Sequence, residues 1–143
     1  DVLEGGQLAM TGQAALTLLV ALAAGPALAC GDSLGSGTRR IEDAQFLLVY
    51  KLMPEPVPVG RHFSIDFALC PRGAAPLPGE VRVDAQMPEH KHGMNYQPRV
   101  SNTGPGKYTA TGLMFHMPGL WQFSFDVETP AGRERIRVDY TLE

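Results

Sequence analysis

The chain has 143 residues, a net charge of −3 and 44% hydrophobic residues, the size and make-up of one folded domain rather than a disordered segment. Its 16 glycines and 12 prolines are too many turn formers for a helical bundle, and the slight acidity argues against a nucleic-acid partner. Two cysteines supply neither a cysteine-based zinc finger nor a disulfide-dense scaffold.

The first element in chain order is an address rather than a fold. Ala14 to Ala29 is an uncharged apolar run, shorter than the roughly 20 residues of a membrane span. It ends in Ala27-Leu28-Ala29, the small-residue pattern of a signal-peptidase site. Residues 1–29 are therefore predicted to be an export signal cut before Cys30, with Met10 as a start. No Lys or Arg precedes the run, and an uncleaved membrane anchor is the other reading. Either way the domain is expected outside the cytoplasm, periplasmic or exported, with an N-terminus able to anchor it to a membrane. Removal of residues 1–29 takes away Asp1 and Glu4 but no base, which leaves the rest close to neutral. Cys30 has two mutually exclusive fates, lipidation or a disulfide with Cys70. In an exported protein the disulfide is the preferred reading.

Residues 30–40 contain GDSLGSGT, a linker by composition, and residues 41–143 form the predicted domain. Alternation with period two marks its strands. Phe63, Ile65, Phe67 and Leu69 share one face, as do Val81, Val83, Ala85 and Met87. The same holds for Trp121, Phe123, Phe125 and Val127, and for Ile136, Val138, Tyr140 and Leu142. Ile41–Leu52 and Lys107–Phe115 are strands with less regular alternation. Pro54, Pro56 and Pro58 punctuate one connection and Pro71 to Gly79 another, while Pro118-Gly119 and Pro130-Ala131-Gly132 are hairpin-sized gaps. The fold class predicted is all-β, an immunoglobulin-like two-sheet sandwich of about seven strands preceded by an apolar export segment.

Chemistry concentrates in two patches. The first is Met87-Pro88-Glu89-His90-Lys91-His92-Gly93-Met94 and the second His116-Met117, so three of the four histidines lie in them. Imidazole nitrogen suits copper, zinc, iron or nickel, and thioether sulfur biases a site toward Cu(I). In extended backbone His90 and His92 point to one side, and Gly93 frees Met94 to turn toward the same ion. His116 and Met117 are adjacent, so regular strand geometry sends only one of them to the site. The candidate metal ligands are His90, His92, Met94, His116 and Met117, with Met87 divided evenly between core residue and ligand. Loops gather at the ends of a sandwich, where two such patches can meet.

Plainer roles fall to the other residues. Met53 and Met114 are read as packing, His62 as an exposed strand residue, Glu89 as a surface carboxylate, and Tyr96 and Trp121 as core or site wall. Cys70, remote in sequence, is not expected to be a ligand. No nucleophile triad, phosphate loop or paired carboxylates stand out, so the protein is not expected to be an enzyme. A zinc hydrolase using His90, His92 and His116 with Glu89 as base fits poorly beside so many methionines.

The stretch MPEHKHGMNYQPRV followed by GKYTATGLMFHMPGLWQFSFDV resembles the YtkA-like (FixH-like) group of exported immunoglobulin-like domains. The matching elements are Met87-Pro88, His92-Gly93-Met94, Gly106-Lys107-Tyr108 and Met117-Pro118-Gly119-Leu120-Trp121, within residues 80–128. The resemblance implies a periplasmic or membrane-anchored metal-handling domain, often connected with copper. The expected function is thus non-enzymatic copper binding for storage, delivery or resistance. Cu(I) is favoured over Cu(II), and the recipient is a membrane or periplasmic protein. The alternative is a structural adhesion or assembly module whose adaptable methionines contact a protein.

Overall fold

The computed structural model describes residues 29–143, so the predicted export segment, Ala29 excepted, lies outside the described residues. Among them no helix is long and apolar enough to cross a membrane. The described residues form nine strands: β1 (Arg39–Glu42), β2 (Phe46–Met53), β3 (His62–Pro71), β4 (Val81–Met87), β5 (His92–Gly93), β6 (Arg99–Gly104), β7 (Lys107–Met114), β8 (Gly119–Thr129) and β9 (Gly132–Leu142). They form two antiparallel sheets, ordered β1-β2-β3-β7-β6 and β5-β4-β8-β9. The all-β sandwich predicted from the alternation is what the chain adopts. The inner faces bury the apolar sets of β3, β4, β8 and β9 named above, together with Phe46, Leu48, Tyr50 and Leu52 of β2.

The strands beyond the predicted seven have local causes. The segment read as one strand, Ile41–Leu52, breaks into β1 and β2 because the Asp43 carboxylate accepts hydrogen bonds from the backbone N–H of Gln45 and of Phe46. That is an Asx turn, and it starts a hairpin. Arg39 and Arg40, placed by composition at the end of a linker, open β1. The preceding GDSLGSGT stretch holds a short 3-10 turn, Asp32–Leu34, and is tied to the end of β3 by the Cys30–Cys70 disulfide, Cα–Cα 6.1 Å. Of the two fates open to Cys30, the structure takes the disulfide.

Connections that cross between the sheets matter most for the site. Pro118-Gly119 is not a hairpin gap: β7 belongs to the five-stranded sheet and β8 to the four-stranded one, so residues 115–118 cross from layer to layer. The β5–β6 connection, residues 94–98, crosses the other way, while Pro88–Lys91 is a four-residue hairpin loop closing Met87 onto His92. Antiparallel pairing then fixes where these segments lie. The ends of β2, β4, β7 and β9 and the starts of β3 and β8 share one end of the sandwich. Cys70 sits at the other end, eight residues along β3 from His62, or roughly 26 Å at strand rise.

Cys30 and Cys70 close a loop of 40 residues in sequence separation, and restricting such a loop in the unfolded chain stabilises a fold by about 2–4 kcal/mol. Cys70→Ser is expected to lower the unfolding free energy by about that amount in urea titration. An unchanged midpoint would show that the N-terminal turn contributes nothing to the domain.

On the outer face of the four-stranded sheet, Arg135 of β9 donates two hydrogen bonds to Asp126 of β8, at 2.5 and 2.7 Å. These bonds hold the Asp126 carboxyl below the usual carboxylate range. A carboxyl lowered by folding adds stability that is complete above its unfolded value, about 3.9, and is lost as pH falls through the lower folded value. Asp126→Asn is expected to cost at most about 1 kcal/mol at neutral pH, because the pair is partly solvated. The gap should close in acid, as urea midpoints of the two proteins across the acid range will show. A gap that persists unchanged at low pH contradicts the assignment.

Candidate metal centre

The centre grows from one cross-strand row. Met87 pairs with His92, and one step beyond the Gln86–Gln122 pair the same row reaches Trp121, which pairs with Tyr140. Strand alternation turns Met87, Trp121 and Tyr140 inward, and register carries His92 with them. His92 is therefore a histidine on the inner face, at the open end of the sandwich, half-buried rather than solvated.

Trp121 is the plate on which the row is built. It is 0% exposed. Phe115, the first residue of the crossing segment, stacks on it at 4.3 Å between ring centroids and 15° between planes. Its indole Nε1–H donates to the Met117 carbonyl oxygen at 3.0 Å, and the Gly60 N–H donates to the Phe115 carbonyl oxygen at 2.8 Å. The crossing segment is thereby held at Phe115 and at Met117, which fixes His116 between them. The His116 ring stands edge-on to Trp121 at 5.4 Å and lies 5.2 Å from the His92 ring.

His90 arrives differently from the extended geometry read from its spacing. The backbone turns through Pro88–Lys91, and Lys91 takes a left-handed conformation, φ 54. A non-glycine residue adopts this rarely, mostly in tight turns. The turn rather than strand alternation brings the His90 ring over that of His92, at 5.8 Å with 26° between planes. Three imidazoles, from the hairpin loop, β5 and the crossing segment, are thus brought together with the His92 ring next to both of the others and Trp121 as the inner wall 6.2 Å from His92.

The methionines border this line. Met87 is 1% exposed and belongs to the core. Its terminal methyl lies 2.7 Å from where a Cβ on residue 119 would stand, and Gly119 has φ +128. The positive φ favours glycine here, while the Met87 methyl, at the end of a flexible side chain, could move aside for a Cβ. Met94 and Met117 are half-buried and pack against the core. His116 is exposed while Met117 is turned inward, yet both belong to the centre, His116 through its ring and Met117 through its carbonyl and its packing. The two side chains thus point to opposite sides, as their adjacency predicts, with the ring of His116 alone beside His92.

Electrostatically the centre has one defect. His92 Nε2 is buried with no hydrogen-bond partner. An imidazole nitrogen withdrawn from water normally has a partner, and its lack calls for a physical reason. Among the described residues no three His, Cys, Asp or Glu side chains are grouped to hold an ion by themselves. Cys70 is bonded to Cys30 at the far end. Tyr96 is neither core nor wall: it is 45% exposed and lies edge-on to His62 at 5.0 Å.

Trp121→Phe keeps an aromatic plate but removes the indole donor. Leaving the Met117 carbonyl without that donor is expected to cost about 1–3 kcal/mol in urea unfolding and to weaken the proton NOEs between the His92 and His116 rings. Unchanged stability and NOEs would show that the indole does not hold the crossing segment.

A sequence model of the YtkA-like family matches residues 40–126. The match takes in β1 through most of β8 and both His/Met patches, and it starts well ahead of the stretch that carries the resemblance in sequence. No curated protein and no solved structure matches the chain. With more than half its length within the family's bounds and a two-sheet sandwich as its fold, the chain belongs to the YtkA-like family.

Proposed function

We propose that this domain is an exported copper-binding protein, non-enzymatic, which holds one copper ion at the His90–His92–His116 cluster for storage, delivery or resistance. The observation that carries the reading is the buried, unpartnered Nε2 of His92, flanked by two further imidazoles and bordered by Met87, Met94 and Met117. A neutral imidazole offers a lone pair, and thioethers favour the soft monovalent ion. His92, with His90 or His116, supplies nitrogen, while Met94 and Met117 supply sulfur. Met87, buried in the core beside Gly119, is the most enclosed of these thioethers.

The position suits cargo. The cluster lies at a sandwich end on a hairpin loop and a crossing segment, where exposed His90 and His116 are open to a donor or recipient protein. Trp121 and Phe115 behind it keep water from the inner side. Export supplies the setting: the apolar run before Cys30 and the disulfide at Cys30 both suit an oxidising compartment. The recipient is a periplasmic or membrane protein with its own soft-ligand site.

Metal analysis after exposure to Cu(I), Cu(II) and Zn(II) in parallel tests the reading. The cluster should retain one equivalent of copper in preference to zinc, with a rise in Tm from ligand linkage. His90→Ala/His92→Ala should lose that equivalent and the rise. Copper uptake unaltered in the double variant contradicts the site. No stoichiometric uptake and no stabilisation in the wild type leaves the structural module instead.

A further inference from the structure

A fourth histidine lies outside the cluster: His62 is the exposed strand residue expected from the sequence, and it has ordered neighbours. His62 opens β3 and pairs directly with Met114 of β7. Met53 of β2 pairs with Ser64, two residues along β3 and on the same face as His62. All three side chains point away from the core, on the outer face of the five-stranded sheet, since their neighbours Leu52, Phe63 and Leu113 are the buried ones. Directly paired residues on one face have Cβ atoms about 5 Å apart and diagonal ones about 7–8 Å, within reach of long side chains.

The packing role assigned to these methionines from sequence does not describe them. Met53 and Met114 are half-buried, yet neither belongs to the core nor to the half-buried side chains packed on it. They cover no apolar interior. Two thioethers and one imidazole share a sheet face, which strand alternation alone does not require.

His62 is also prepared. Its Nδ1 lies 3.3 Å from the Leu113 carbonyl oxygen; a carbonyl only accepts, so the tautomer that makes this hydrogen bond has its proton on Nδ1 and its lone pair on Nε2. Metal-binding histidines are commonly set in this way, by a backbone carbonyl that fixes the tautomer and the ring. Tyr96, from the crossing segment after Met94, stands edge-on to the same ring at 5.0 Å and limits its rotation. Methionine, with three rotatable bonds, adjusts readily around a ring held in place.

We propose that His62, Met114 and Met53 form a second soft-cation site, selective for a monovalent ion such as Cu(I) or Ag(I), on the outer face of the five-stranded sheet. One nitrogen and two thioether donors with no carboxylate disfavour the harder divalent ions. The proposal uses none of the cluster's ligands and stands or falls apart from it. The two sites lie at the same end of the sandwich, joined by the short segment from Met94 to Tyr96, so the protein carries cargo on an end and on an adjoining face.

Ag(I), which does not change oxidation state under assay conditions, is the probe, used on the disulfide-bonded protein so that no thiol competes. Native mass spectrometry should show two Ag(I) ions on the wild type and one on His62→Ala. One ion should also remain on His90→Ala/His92→Ala. In that double variant, 15N spectra of the imidazole should show Ag(I) shifting His62 Nε2. Met53→Leu/Met114→Leu, which keeps side-chain volume, should weaken this second ion at least tenfold. Equal ion counts on the wild type and His62→Ala, or a His62 Nε2 resonance that does not move, overturns the proposal. Retention of the His62-dependent ion with no loss on removing His90 and His92 instead overturns the cluster and leaves this site standing.

Discussion

The indole of Trp121 is the constraint on which the site depends. Its face stacks on Phe115 of the crossing segment, and its N–H donates to the Met117 carbonyl. One buried side chain therefore closes the sandwich end and fixes the segment that carries His116. The same residue walls His92 from inside. Burying an aromatic of this size is among the larger favourable terms a domain this small has, so the position of the imidazoles is tied to the stability of the core. Side chains held in this way are preorganised, which on the proposed reading would leave an arriving ion little ordering to impose.

A second constraint is strand register. Because β4 pairs Met87 with His92, the two-residue β5 delivers an imidazole to the inner face, where a shift by one residue would present Lys91 or Gly93 instead. The hairpin loop then needs a left-handed residue, and Lys91 supplies it at a conformational cost that glycine would avoid. That cost falls on the residue between the two histidines. It is consistent with a loop shaped to bring the rings together rather than one shaped only to turn the chain.

The fold was largely legible in the sequence because β3, β4, β8 and β9 bury one face each, and burial writes itself as period two. What escaped has the opposite character. β6, Arg99–Gly104, is an edge strand of polar residues with no buried position, so it leaves no alternation to find. β5 is too short to carry a period at all. Pro118-Gly119 resembles a hairpin turn in composition, but its glycine takes a positive φ where the chain changes sheets. The histidines and methionines of the cluster were visible by type and spacing. Their arrangement was not, since the stacking of His90 on His92 follows from a turn and the placing of His116 from an indole hydrogen bond 4 residues away. Tyr96 and His62 pair across two sheets' connections, a contact no local pattern announces.

The most direct measurement of the central claim is X-ray absorption at the copper edge of the Cu(I)-loaded protein. Copper held at the cluster should show a first shell of mixed nitrogen and sulfur, with outer-shell scattering from imidazole rings that falls when His92 is replaced by alanine. A shell of oxygen donors alone, or a spectrum unaffected by loss of His92, would contradict that claim.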